Sequence, residues 1–420
     1  MKEEKDNSVV VCSDKNGKDV IIKEESRYLG TLIIGSAGSG KTQGILIPMA
    51  KQDIKNKRGV TIFDKTGALS EAAYVYARSN RRKIHYINSK NKKIRFNPIK
   101  GTEDEVIDRL VFVFKKRNQE SSQFFIDIGV HLISNSVKVI KRLKGNSATL
   151  IDLSTLIYNS QGQGKIMVNS FSRLNTDTVE MAEENNEIAS WFFTEYFNEK
   201  SKTYENTADV RAMFCKIFSN KNAKMFLDTR DKDIEEINFD KHIKNKEIVI
   251  INIKFDYGVV DEILEALLFH SYQSAIFKQN REQYMPNFLY IDGYYSFFPL
   301  LNQFILRSRP HKIAVHLAIQ NFSLLNKIEY FFSSNMGNLI LLPGLSLDNA
   351  ELLVGTFIGK FSLTDMLYMN FGETLYNIID KTFPGYRNIN TGKIKFINRE
   401  EQEFIYKRMK AYEKQFLKTI

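Results

Sequence analysis

Apolar residues along this chain recur in two rhythms. Short, nearly unbroken apolar runs at 31–34, 59–64, 83–87, 247–253, 288–292, 313–319 and 338–342 end at glycine or polar turns and predict buried strands. Helical spacing fills some of the gaps between them, at 70–81 and 261–278, so strand and helix alternate. That alternation predicts an α/β fold with a mostly parallel, doubly wound central sheet. Ahead of it, the apolar residues at 9–11 and 20–22 around Asn16-Gly17 read as a hairpin.

Between 102 and 240 the rhythm changes. Phe125, Ile128, Leu132, Val137, Ile140 and Leu143 return every three to five residues, make one apolar face and stop near Lys144-Gly145. This stretch reads as an inserted all-helical domain, in which Trp191, Phe192, Phe193, Tyr196 and Phe197 are core in preference to a base-stacking platform. The expected organisation is 1–100 and 241–398 as two parts of one nucleotide-binding domain, 101–240 as the insertion, and 399–420 as a charged terminal helix.

Composition narrows the class. A 420-residue chain with 43% hydrophobic residues folds, and its length suits a core domain plus an insertion. No stretch approaches the roughly 18 to 20 apolar residues of a membrane span, and the first residues lack a signal peptide's apolar core, which predicts a cytoplasmic protein, peripheral to the membrane if it meets it. Cys12 and Cys215 are the only cysteines, too few for a disulfide framework; reduced thiols and no structural metal are expected. The net charge is +11, and residues 51–100 supply all of it, with fourteen Lys or Arg against Asp53, Asp64 and Glu71. Two readings fit that window: a lysine-rich surface set by general composition, or a positive stripe for phosphate backbones.

Gly35-Ser36-Ala37-Gly38-Ser39-Gly40-Lys41-Thr42 matches G-x-x-x-x-G-K-[ST] and lies between a predicted strand and a predicted helix, the context a phosphate-binding loop requires. The glycines let backbone N–H groups curl around phosphate oxygens at a helix N-terminus. Lys41 then reaches the β- and γ-phosphates of ATP, and the Thr42 hydroxyl holds Mg²⁺. Pro48 falls in the following helix and predicts a kink or an early end there. The apolar run Phe288-Leu289-Tyr290-Ile291-Asp292 has the form of a Walker B strand, with Asp292 positioning Mg²⁺.

Three further segments follow in order: Gly44-Ile45-Leu46-Ile47-Pro48, Thr61-Ile62-Phe63-Asp64-Lys65-Thr66-Gly67 and Arg95-Phe96-Asn97-Pro98-Ile99. Together with the loop they resemble the type IV coupling proteins of conjugation, the TraG-like family of the FtsK and HerA P-loop superfamily. Asn335 and the stretch 339–344 are similar to what the family places after its later strands. The resemblance implies a RecA-like ATPase that forms a hexameric ring and moves DNA, with its relaxase, towards a type IV secretion channel. It also implies that Arg309, eleven residues before Gln320, is an arginine finger for a neighbouring subunit, and that Gln320 senses the γ-phosphate.

The chain departs from the family pattern at three points. Asp292 is followed by Gly293 where the family carries a glutamate to polarise water, which predicts slow hydrolysis or a substitute such as Glu262 or Glu265. Ala68 stands where an acidic residue is frequent. No membrane anchor precedes the loop, which suits docking on a separate membrane subunit. Beside the DNA motor stand two alternatives: a nucleotide-gated scaffold with little turnover, and an ATPase for assembly of the secretion channel. Tyr294 and Tyr295, next to the Walker B aspartate, read as packing residues or as contacts to nucleotide or neighbour.

Overall fold

The computed structural model describes residues 7–230, 234–256, 258–280, 284–293, 298–322, 335–357, 359–380 and 386–417; Tyr294 and Tyr295 lie outside them. The chain forms two compact units, one of residues 1–91, 238–253 and 275–420, the other of 92–237 and 254–274.

The first unit is built on an eleven-stranded sheet. In chain order its strands are β1 (Val9–Asp14), β2 (Asp19–Ile22), β3 (Thr31–Ile34), β4 (Gly59–Asp64) and β5 (Ile84–Asn88). The second unit contributes two short strands, β6 (Ile94–Arg95) and β7 (Glu235–Glu236), which pair with each other in parallel. The sheet then resumes with β8 (Ile248–Asn252), β9 (Asn287–Asp292), β10 (Ile313–Ile319), β11 (Asn338–Leu341), β12 (Glu373–Ile379) and β13 (Arg387–Lys393). Their spatial order is β2-β1-β13-β12-β11-β3-β10-β9-β4-β8-β5.

From β11 to β5 every neighbouring pair is parallel, and β3, β4, β8, β9, β10 and β11 are buried at every residue, as strands covered on both faces must be. On the other side of β11 the sheet turns antiparallel through β12, β13, β1 and β2. The amino-terminal hairpin is therefore a sheet edge, not a free appendage. The helix Arg399–Leu417 packs on the helix Ala68–Ser79 and delivers Ile405 and Met409 to the core around Tyr74 and Tyr86.

The helix after the glycine loop does not end at Pro48. Residues Lys41–Leu46 form a π-helical stretch and Ile47–Lys55 an α-helix, with Pro48 in its first turn. A proline ring clashes with the carbonyl four residues back in regular helix, and the wider π turn immediately upstream relieves that clash. Further along, Asp53 is fully buried and accepts from Arg27 at 2.9 and 2.7 Å, from Arg58 at 2.6 Å and from the Tyr290 hydroxyl at 2.5 Å. Arg27 also donates to His316 Nε2 at 3.3 Å, while His316 Nδ1 faces the Leu289 carbonyl at 3.1 Å. Burial and Arg27 hold that imidazole neutral, with its pKa lowered to about 3. The network ties the loop's helix to β9 and β10, the strands that carry Asp292 and lead to Gln320.

The second unit is mainly helical. Glu103–Arg117 and Leu150–Tyr158 each open on a reciprocal capping box, Thr102 with Glu105 and Thr149 with Asp152. Gln123–Lys144 crosses Glu103–Arg117 at Gly129, where an added Cβ would sit 2.3 Å from the Phe114 ring. Phe192 and Tyr196 are core, on a π-helical stretch, whereas Phe193 is exposed. Asn97 donates to the Ala148 carbonyl at 2.8 Å and accepts from the Ile99 N–H at 3.0 Å, so the Asn-Pro motif acts here as a buried turn.

Candidate nucleotide-binding site

The loop Gly35–Thr42 joins the carboxyl end of β3 to the helix that begins at Lys41, in the middle of the parallel sheet. Its neighbours hold it in place. The Gly35 N–H donates to the Ile319 carbonyl at 3.4 Å, and the Ser36 N–H to the Pro343 carbonyl at 3.2 Å. Gly38 and Gly40 adopt φ of 76° and 101°, which glycine alone enters without strain, and Ala37 and Gly38 form an exposed tip.

Lys41 is 7% exposed, and its ammonium donates to the carbonyls of Gly35 at 2.7 Å and Ser36 at 2.6 Å. Burial lowers its pKa, an effect that Asp292 opposes. The Thr42 hydroxyl donates to Asp292 Oδ2 at 2.5 Å, so the loop and the end of β9 meet directly. Burial, and then the charge of Asp64, raise the Asp292 pKa to about 6 against the pull of Thr42 and Lys41.

Asp64 ends β4 in register with Asp292. Its carboxylate is spent on its own turn, accepting from the N–H groups of Thr66 at 2.9 Å, Gly67 at 3.0 Å and Ser70 at 2.7 Å. The Asp-Lys-Thr-Gly segment is thus a helix start that also parks a negative charge beside Asp292, and Asn252 donates to the Asp64 carbonyl from β8. Gly293 has φ 73°, and an added Cβ would find only Lys65 Cβ at 3.5 Å and Thr66 Cγ2 at 3.7 Å. There is room for a side chain at Gly293, yet the backbone is one that glycine favours.

Lys41, Thr42, Asp64 and Asp292 are brought together, and Gln320 follows β10 immediately beside the loop. Arg309 is not among them. It is exposed, precedes β10 at the opposite edge of the sheet, and donates to the Asn335 carbonyl at 2.5 Å. Glu262 and Glu265 belong to the second unit, where their charges act on Lys116. Sequence reasoning missed Ile394 and Phe396, which follow β13 and close over the loop: a Cβ on Gly44 would sit 2.1 Å from Ile394 Cγ2, and one on Gly40 2.7 Å from the Phe396 ring. No motif announces such residues.

The donors fit a hard divalent cation. Mg²⁺ takes oxygen ligands, one or two of them carboxylates, and completes its shell with water and phosphate; a hydroxyl and a buried carboxylate oxygen in direct contact are such a set.

No protein-family model and no curated protein matches the chain. Solved structures do. The conjugative coupling protein TrwBdeltaN70, in its unbound monoclinic form, superposes with a TM-score of 0.65 at 14% identity, over 95% of this chain and 91% of that one. This chain has the coupling-protein fold. TrwB in complex with ADP and Mg²⁺ gives a TM-score of 0.64 at 14% identity, covering 96% and 92%. VirB4 of Thermoanaerobacter pseudethanolicus gives 0.57 at 14%, covering 94% and 97%. The coupling-protein fold is a RecA-like P-loop architecture, with a large, mostly parallel sheet and many helices.

The basic window of 51–100 is not one stripe in this fold. Lys51 pairs with Glu401, Arg58 with Asp53, Lys83 with Glu247, Lys90 with Glu413 and Lys100 with Glu236. Arg82 donates to the carbonyls of Ile54, Arg58 and Lys246, and Arg95 is buried against those of Lys92 and Ile94. The second unit also holds a groove of about 980 Å³, lined by Lys92, Arg95, Lys221, Lys224 and Arg230, with Asp228 its one acidic residue, paired to Arg230.

Proposed function

We propose that this protein is an ATP-driven motor of the conjugative, type IV secretion kind that engages DNA, works as a hexameric ring and delivers DNA with its relaxase to the channel. The observation that carries the reading is the contact of Thr42 with Asp292 beside Lys41, on a fold shared with TrwB, which has been solved with an ATP analogue and with ADP and Mg²⁺. The amides of Gly35 to Thr42 cradle the phosphates, and the Lys41 ammonium leaves the loop carbonyls for β- and γ-phosphate oxygens. Thr42 and Asp292 would hold Mg²⁺, which would supply charge neutralisation at the transferring phosphoryl group. Gln320, which directly follows β10, is the candidate for reading the γ-phosphate. Arg309, on the far edge from its own loop, suits service to a neighbour's site. The groove of the second unit supplies cations for a phosphate backbone.

The test is ATP turnover with and without single- and double-stranded DNA. Stimulation by DNA, abolished in Lys41→Ala, is the expected result; active protein that DNA never stimulates would remove the motor from consideration. Gly293 favours a second reading, a nucleotide-gated scaffold that recruits relaxase or channel components and turns over slowly, since the carboxylate missing there is worth about 10² to 10⁴ in rate. Brisk turnover by the purified protein dismisses it. Likeness to VirB4 keeps an assembly ATPase as the third, separated from the first by indifference to DNA.

A further inference from the structure

Three lysines of the first unit share an unusual backbone, which Arg81 before β5 also adopts at φ 54°. Lys57, Lys246 and Lys312 have φ of 60°, 54° and 56°, the left-handed region that glycine or asparagine ordinarily fills. Each sits at the same kind of place, between the end of a helical segment and the start of a parallel strand: Lys57 before β4, Lys246 before β8 and Lys312 before β10. Their amides close the preceding turns on Ile54 at 3.2 Å, Ile243 at 3.0 Å and Arg309 at 3.2 Å.

Those strands lie in register, Gly59 and Ile313 both opposite Asn287, and Val60 opposite Ile248. The three turns therefore meet at one edge of the sheet, the edge away from the Gly35–Thr42 loop. There they line a pocket of about 460 Å³ with Arg58, Asn7, Asn56, Gly59, Pro286 and Phe288. Glu24 is its one carboxylate, and it is occupied by the Asn7 amide at 2.8 Å and the Tyr28 hydroxyl at 2.6 Å.

The pocket is built, not merely lysine-rich. Arg58 is 5% exposed and fixed by Asp53 at 2.6 Å and the Ser8 carbonyl at 3.1 Å. Arg82 clamps two of the turns together, donating to the Arg58 carbonyl at 2.7 Å and the Lys246 carbonyl at 2.5 Å. Among the described residues the ammonium groups of Lys57, Lys246 and Lys312 have no hydrogen-bond or ion-pair partner, and all three residues are exposed. Three ammonium groups without partners around one cavity, beside a guanidinium that the fold holds in place, suit an anion that more than one of them can grip.

We propose that this pocket binds a phosphate group, as a second anion site on the sheet edge opposite the nucleotide loop. The group can come from a free phosphate compound or from a nucleic-acid backbone, and the test separates the two.

Pyrophosphate is titrated by calorimetry into full-length Lys41→Ala protein, in which the nucleotide loop is disabled, and into the same protein carrying Lys57→Asn, Lys246→Asn and Lys312→Asn. Asparagine accepts the left-handed backbone, so the melting temperature should hold while affinity falls by at least about tenfold, the scale of one or two lost charge-assisted contacts. Equal affinity in the two proteins overturns the proposal. Should the combined variant fail to melt cooperatively, the three single variants are measured, with about a threefold loss expected from at least one; no loss at any of them is equally fatal. A single-stranded oligonucleotide forms the second arm. If its binding weakens too, and the salt slope drops by roughly 0.7 per lost contact, the backbone is the source. If only pyrophosphate weakens, the ligand is a free phosphate compound. Because the nucleotide loop is disabled throughout, failure here leaves the ATPase reading intact, and the reverse also holds.

Discussion

Asp292 carries its charge where charge is costly. Its pKa rises from 3.8 to about 6 through burial and then the nearby Asp64, so between those values the folded state binds the proton more tightly than the unfolded chain does. The sign follows: without a cation, the stability due to this residue is greatest at low pH and is lost as pH rises through about 6. Mg²⁺ binding runs the other way, because it requires the ionised form. Nucleotide affinity in Mg²⁺ should therefore fall as pH is lowered through about 6, and Asp292→Asn should flatten that dependence while weakening binding throughout; nucleotide titrations at a series of pH values check both. Glu247 has the opposite linkage. Burial alone would raise its pKa, but hydrogen bonds from His242, His85, Lys83 and Asn245 hold it at about 2. Its contribution is present above about 4.5 and is lost as pH falls towards 2, so Glu247→Gln should shallow the acid limb of a denaturation-versus-pH curve. His85, His242 and Glu247 also have the composition of a metal site. Yet the Asn238 N–H donates to His242 Nε2 at 3.1 Å, which leaves the ring proton on Nδ1, pointing at Glu247 at 2.7 Å and occupying the lone pair a cation would need.

At the scale of elements, the strand, glycine loop and helix were legible because the chemistry demands one backbone shape and the residues that permit it. The Walker B run was legible for a similar reason: a strand covered on both faces is apolar throughout, and its terminal aspartate stands out. β12 and β13 were not. Arg387–Lys393 reads RNINTGK, with hardly an apolar residue, and it holds its place by an antiparallel ladder running from Glu373 opposite Lys393 to Ile379 opposite Arg387. Backbone pairing of that kind leaves no trace in the side-chain pattern. The same hidden segment brings Ile394 onto Gly44. A Gly44→Val change should cost about 1 to 3 kcal/mol by overpacking and displace the loop's helix, lowering nucleotide affinity. Adding Ile394→Ala should recover part of both losses, as a double-mutant cycle of unfolding and nucleotide titrations would reveal.

For the molecule as a whole, the +11 charge does not say where a cationic surface lies. The sum over residues 51–100 counts cations that the fold consumes internally, such as Arg58 on Asp53 and Arg82 on three carbonyls, and omits Lys221 and Lys224, on a helix far along the chain, and Arg230 just after it, which line one groove with Lys92. Neutralising Lys92, Lys221 and Lys224 to glutamine should reduce the salt slope of DNA binding by roughly 0.7 to 0.9 for each phosphate contact removed. Neutralising Lys90, already paired with Glu413, should change it little. Binding isotherms at several salt concentrations decide between them.

Among the described residues the hairpin of β1 and β2 joins the sheet through β13, Ser13 lying opposite Lys393. Residues 9–14 must therefore wait for residues 387–393 before their ladder can close, while the helical unit, whose segments are 92–237 and 254–274, emerges complete in the interval. A nascent chain stalled with residues 387–393 still inside the ribosome should leave the hairpin of β1 and β2 open to protease, and one in which they have emerged should shield it.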